Sequence, residues 1–98
     1  MTPAAGEVWL ADRGDTRRLV FVISDARFHR LAERAVVAPI FDHIPDSPRP
    51  WHIRLEGERT VAVNQLDTMP TGRLLERVDS FPGESLRLAR RAVRATIG

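Results

Sequence analysis

Four groups of residues carry side chains able to do chemistry on a ligand. Arg17 and Arg18 stand together at the head of an apolar run, and a guanidinium keeps its charge and offers a planar fork of donors that fits a phosphate. Asp42 and His43 are neighbours. The imidazole changes charge near neutrality and can take or give a proton; the plainer reading is a solvated histidine in a proline-rich loop. Trp51, just after that loop, is either a core side chain or a flat platform for a splayed nucleobase. Arg87, Arg90, Arg91 and Arg94 form a stripe near the C-terminus, either a solvated helix face or a surface for phosphate or a partner protein. His29, His43 and His52 have no ligand spacing and cysteine is absent, so no metal site and no cofactor are expected. The missing cysteines also exclude disulfide scaffolds and thiol nucleophiles. Glu56 and Glu58 share a turn and are expected to be solvated. No glycine-rich phosphate loop is present, and no order of Ser, His and Asp favours a triad.

All 15 basic residues are Arg, Tyr is absent, and the net charge is only +2. With no Lys or Tyr to titrate near pH 10, the isoelectric point of 10.9 overstates the basicity. The distribution says more. Residues 1–83 hold 11 Arg against 12 acids, whereas residues 84–98 hold four Arg against Glu84 alone, so the positive excess is C-terminal.

The elements that must position these groups are mostly short strands. Glu7–Asp12 ends in the turn-forming cluster Asp12-Arg13-Gly14-Asp15. Arg18–Ser24 is a continuous β-branched and aromatic run of the length of a buried central strand. Ala35–Phe41 is another, where Pro39 predicts a sheet edge or a bulge because proline cannot donate to the ladder. Between them, Asp25–Arg34 fits a loop with one helical turn. Asp42–Pro50 is a loop. Trp51–Leu55 and Thr60–Leu66 alternate as half-buried strands do, Pro70-Thr71-Gly72 breaks the chain, and Leu74–Phe81 fits a last strand. Glu84–Ile97 is a helix, with Leu86, Ala89, Val93 and Ile97 in one stripe, Leu88, Ala92 and Ala95 widening it, and the four arginines opposite. The fold class is mainly β with a C-terminal helix, a small strongly bent sheet or partly open barrel in one domain spanning 1–98. No span of about 20 apolar residues exists for a membrane helix, and Thr2–Trp9 has no basic or long apolar stretch. A cytoplasmic protein with no membrane association is expected.

Several strings, in this order, resemble the MazF/PemK toxin family, whose fold is an SH3-like barrel with a C-terminal helix shared with CcdB. They are Gly6-Glu7-Val8-Trp9, the run Thr16 to Asp25, Val36-Val37-Ala38-Pro39-Ile40, Val63-Asn64-Gln65-Leu66-Asp67-Thr68, Leu74 to Val78, and the helix ending Thr96-Ile97-Gly98. The resemblance implies a toxin of a type II toxin–antitoxin system: a metal-independent endoribonuclease cutting single-stranded RNA, acting as a homodimer and silenced by a cognate antitoxin. The chemistry implied is attack of a ribose 2′-oxygen on the adjacent phosphate, which needs a proton acceptor, a proton donor and positive charge at phosphorus. The family's Arg eight residues before an Asp falls on Arg17, with Asp25. Because an Arg stays protonated, Arg17 is expected to clamp phosphate rather than act as a base, the alternative being a strand-end Arg paired with Asp12 or Asp15. Arg18 stands where the family usually has Pro; a motif register shifted by one would put the catalytic Arg at this position, so Arg18 is a further catalytic candidate. Phe41 replaces the family's usual Thr or Ser hydroxyl, so Asp42 and His43 become candidates for the missing group. Asn64 and Gln65 are the implied RNA contacts, with packing an equal reading for Asn64. The first loop, Asp12–Thr16, is shorter than is usual in the family. The same fold also admits a non-catalytic CcdB-like poison of a protein target such as DNA gyrase, or a degenerate relative that only binds an antitoxin. The tail Ala95-Thr96-Ile97-Gly98 lacks the tryptophan on which CcdB-like proteins rely.

Overall fold

The computed structural model describes residues 2–97. Strand β1 (Glu7–Asp12) turns through Gly14 into β2 (Arg17–Val22), the Asp12 Oδ1 accepting from the Gly14 N–H at 2.9 Å to hold the turn. A short helix α1 (Ala26–Ala32) leads to β3 (Arg34–Phe41), followed by β4 (His52–Leu55), β5 (Arg59–Ala62), β6 (Asp67–Pro70), β7 (Leu74–Ser80) and helix α2 (Glu84–Ile97). The sheet is antiparallel and open, ordered β4-β5-β3-β2-β1-β7, with β6 paired to β3 beside β5. It is the mainly β architecture with a C-terminal helix that the sequence predicts.

Alternation along the strands sends side chains to two faces, each with its own apolar cluster. Val8, Phe21, Ala38, Ile40 and Val61 pack beneath Leu86, Ala89 and Ala92 of α2. Trp9, Val20, Val22, Val37 and Met69 form the cluster on the other face. Trp9 is thus a core residue, its indole N–H donating to Glu7 Oε1 at 2.9 Å. The run Val20-Phe21-Val22 is buried on both faces, as a continuous apolar strand must be.

Four local expectations need correction. Asp25–Arg34 contains a helix of seven residues, Ala26–Ala32, rather than one turn in a loop, and the Asp25 carboxylate caps it by accepting from the Phe28 N–H at 3.0 Å. Thr60–Leu66 is not one strand. It stops at Ala62, passes through a 3-10 turn at Val63–Gln65, and a separate β6 follows, which alternation alone did not reveal. Pro39 lies on neither an edge nor a bulge: β3 is central. The Ile23 N–H donates to the Val36 carbonyl, so even-numbered β3 residues turn their amides toward β2. Pro39 therefore points its nitrogen to the other side, at the gap where β6 ends (Val37 opposite Asp67) and β5 begins (Ile40 opposite Val61). In α2 the buried stripe is Leu86, Ala89 and Ala92, with Val93 partly covered and Ile97 69% exposed beyond the sheet.

Candidate nucleic-acid interface

The hairpin register fixes where the two candidate arginines stand. Arg17 is opposite Asp12 and Arg18 opposite Ala11. On the other side, β2 and β3 pair Val20 with Pro39. Continuing that register by two or three residues sets Arg18 across from Phe41 and Arg17 across from Asp42. Successive strand residues face opposite sides of a sheet, so the two guanidinium groups straddle its rim. They meet again at the strand ends, where one concavity of about 270 Å³ is lined by Arg17, Arg18, Phe41 and Asp42 over the apolar Leu19 and Ile40.

Both arginines are exposed, and neither joins an ion pair among the described residues. The strand-end pairing of Arg17 with Asp12 or Asp15 is not formed; the Asp12 carboxylate is engaged by the turn instead. Arg18 has a different constraint. Its guanidinium carbon lies 5.4 Å from the centre of the Phe41 ring, a cation–π contact, and that ring is 6.0 Å from the His43 imidazole. Phe41 thus holds a cation at the rim. The nearby hydroxyl of Thr60, the register partner of Phe41, is buried and donates to the His43 carbonyl at 2.8 Å, which ties down the backbone of the Asp42–His43 segment.

The remaining candidates separate. Gln65 is exposed on the 3-10 turn and lines a small cavity of about 80 Å³ that shares Arg18 with the rim concavity. Asn64 is exposed beside it without lining either. Trp51 is half-buried against the cluster beneath α2 and does not line the concavity. Asp25, the far end of the motif begun by Arg17, is a helix cap; the Phe28 N–H, against slight burial, holds its carboxyl below the usual 3.8. Of the α2 arginines, Arg90 is turned inward, its Nε and Nη2 donating to the Ile23 carbonyl, and Arg87 is paired with Glu84.

Two residues passed over by the sequence reading border the same region. Arg13 and Asp67 pair at 2.8 Å and line the cavity that holds Gln65. No spacing along the chain could reveal them, since they are 54 residues apart and β6 had been missed. Of the histidines, His29 is buried between the Pro3 carbonyl (Nδ1, 2.7 Å) and Ser24 Oγ (Nε2, 2.6 Å), and His52 accepts from the Arg49 N–H. Among the described residues no three His, Asp or Glu side chains converge as a metal ion would require, and no helix is long and apolar enough to cross a membrane.

Comparison with known proteins adds to this geometry. No curated protein sequence matches the chain. Among solved structures, the MazE–MazF complex from Deinococcus radiodurans (Form-II) superposes with a TM-score of 0.87 at 17% identity, covering 100% of this chain and 97% of that one. An endoribonuclease in complex with its cognate antitoxin from Mycobacterial species gives 0.82 at 15% identity, over 98% and 95%. The Mycobacterium tuberculosis toxin MazF-mt6 gives 0.76 at 14% identity, over 93% and 95%. At such identities the likeness is one of fold. A family signature matches residues 4–97, nearly the whole chain, and by that match the chain belongs to the PemK-like, MazF-like toxins of type II toxin–antitoxin systems.

Proposed function

We propose that this toxin is a metal-independent endoribonuclease that cuts single-stranded RNA at the rim concavity. The observation that carries the reading is the pair Arg17 and Arg18, two cations free of ion pairs among the described residues and set around one hollow with a carboxylate, Asp42. Arg17 grips the scissile phosphate through its fork of donors. Arg18, steadied by Phe41, adds the second positive charge that the five-coordinate phosphorus needs. Asp42 accepts the 2′-hydroxyl proton as that oxygen attacks phosphorus, and His43 gives a proton to the departing 5′ oxygen. The products are a 2′,3′-cyclic phosphate and a free 5′-hydroxyl. Asn64 and Gln65, on the turn beside the site, contact the RNA bases, and Trp51 stacks on a base farther along the strand.

The partners follow the same reading. MazF of Deinococcus radiodurans and the Mycobacterial endoribonuclease were both solved with antitoxins, and this chain is proposed to be held inactive by one of its own. It acts as a homodimer in the cytoplasm, with an arginine-lined groove formed between the two copies, and a disordered antitoxin segment folds over that groove.

Incubating the purified protein with long single-stranded RNA in excess chelator tests the activity. Discrete fragments ending in cyclic phosphate are expected, with none from a strand carrying a 2′-deoxy sugar at the cut linkage. RNA left intact across a broad set of sequences contradicts the reading and leaves a binding-only toxin, as does a deoxy linkage cut as fast as the ribose one.

A further inference from the structure

The ribonuclease reading leaves the arginines of α2 unused, and they differ in how much charge they still offer. Arg87, Arg90 and Arg94 recur at i, i+3 and i+7, which puts them on one side of the helix. Together with Pro82, Gly83 and Leu86 they border a hollow of about 310 Å³. Arg87 is matched by Glu84 in an exposed pair, a weak and exchangeable bond. Arg90 gives its Nε and Nη2 donors to the Ile23 carbonyl, a neutral acceptor that fixes the guanidinium in place and leaves its charge. Asp25, a carboxylate that feels this charge, is committed to capping α1. Arg94 joins no ion pair among the described residues. The hollow is therefore cationic, with Leu86 as a small apolar floor. None of the described residues lining it carries a carboxylate, an amide side chain or an aromatic ring.

We infer that this hollow docks an acidic, extended segment of a partner protein, its carboxylates on Arg90 and Arg94 and one short apolar side chain over Leu86. Charge complementarity selects the anion, since residues 84–98 hold the chain's positive excess, four Arg against Glu84 alone. The missing ring and amide select a peptide over RNA, because single strands are held by stacking and by contacts to base edges as well as by charge. Position adds a reason. Ile40 and Leu86 belong to one apolar cluster and Leu19 packs against it, so the rim concavity floored by Leu19 and Ile40 opens on the same side of the sheet as α2. The longest dimension of the molecule is 36 Å, and an extended peptide of about twelve residues, at roughly 3.3 Å each, is long enough to reach from one hollow to the other. An acidic segment anchored on α2 can thus lie across the rim and keep RNA out. The docking itself is independent of the cleavage chemistry, since no residue lining this hollow lines the rim concavity.

Fluorescence anisotropy of labelled probes against the full chain tests the docking. The probes are a peptide of about twelve residues with glutamates alternating about a central leucine, the same peptide with glutamine for every glutamate, and single-stranded polyuridine of matched length. The wild type is expected to bind the glutamate peptide, more weakly as salt rises, and to bind the glutamine peptide about tenfold less well or worse. Arg94→Glu, with an unchanged circular dichroism spectrum, should weaken the glutamate peptide about fivefold or more. Arg94→Gln should weaken it less, since it removes a charge without adding a repelling one. Neither variant should weaken polyuridine. Equal binding of the two peptides, or an Arg94→Glu variant that binds as the wild type does, overturns the inference. So does polyuridine weakened as much as the peptide, which would give this face to RNA. Loss of the glutamate peptide in Arg17→Gln with none in Arg94→Glu also overturns it, by placing acidic segments at the rim alone. None of these results depends on whether RNA is cut, so the cleavage assay judges the ribonuclease reading separately.

Discussion

The contact between Arg18 and Phe41 shows how an aromatic side chain can hold a cation at the rim of a site. A phenyl ring cannot bond a phosphate, but its face attracts a cation, by about 0.5–1 kcal/mol at an exposed position. Phe41→Leu keeps the bulk and removes the attraction, and is expected to slow RNA cleavage about two- to fivefold with the circular dichroism spectrum unchanged. An unaltered rate would show that Arg18 needs no support. Away from the rim, Glu7 ties Ala4, Trp9 and Arg77 together through one carboxylate. Burial pushes its carboxyl up, yet the Ala4 N–H, the Trp9 indole and the Arg77 guanidinium outweigh this and hold it below the ordinary 4.5. A lowered value means the folded state binds the proton less tightly than the unfolded one. The stabilisation is therefore complete above 4.5 and is lost as the pH falls through the folded value. Glu7→Gln is expected to cost about 1–3 kcal/mol in urea unfolding at pH 7, and the gap to wild type should close in acid. A gap that does not narrow as the pH is lowered would refute this origin.

Among the elements, the joint between β1 and the β7–α2 corner depends on Gly6. Its φ is +86°, its N–H donates to the Val22 carbonyl and its carbonyl accepts from the Phe81 N–H, at 2.8 and 2.7 Å. A Cβ there would lie 2.7 Å from the Phe81 oxygen and the Pro82 Cα. Gly6→Ala should destabilise by about 2 kcal/mol or more, from strain alone before the clash is added, read as a lower urea midpoint; a midpoint like wild type would contradict the close packing. Periodicity made β1, β2, β7 and α2 legible because each has a clear run and a turn signal at its end. It failed over residues 60–70. There Val61, Ala62 and Val63 are all buried, and the alternation continues through a turn that only pairing to β3 defines. For the same reason Arg17, Arg18, Asp42 and His43 could be proposed from residue type and resemblance, whereas Arg13 and Asp67 could not, since a partner on an unrecognised strand has no register.

At the scale of the molecule, the charge that composition places at the C-terminus is not where the candidate site lies. Part of it is spent internally, Arg90 on the Ile23 carbonyl and Arg87 on Glu84. The rim instead gathers Arg13, Arg17 and Arg18 from a region that is close to neutral overall, so sequence totals hide the local field and only the fold reveals it. RNA affinity should accordingly fall with salt with a slope set by a few phosphate contacts, about −0.7 for each. Removing Arg91, on the exposed side of α2, should leave that slope unchanged in a salt titration; a slope reduced by about one contact would move the interface to the helix. A sedimentation equilibrium run is expected to give twice the chain mass, and a monomer at micromolar concentration would contradict the proposed homodimer.

The cleavage rate of one fixed RNA by wild type, Arg17→Lys and Arg17→Ala, measured side by side in chelator, tests the account most directly. Loss of a guanidinium that meets charge developing at phosphorus should slow Arg17→Ala about a hundredfold or more, with lysine recovering part of it through its charge but not its fork. Equal rates for wild type and Arg17→Ala would contradict the account.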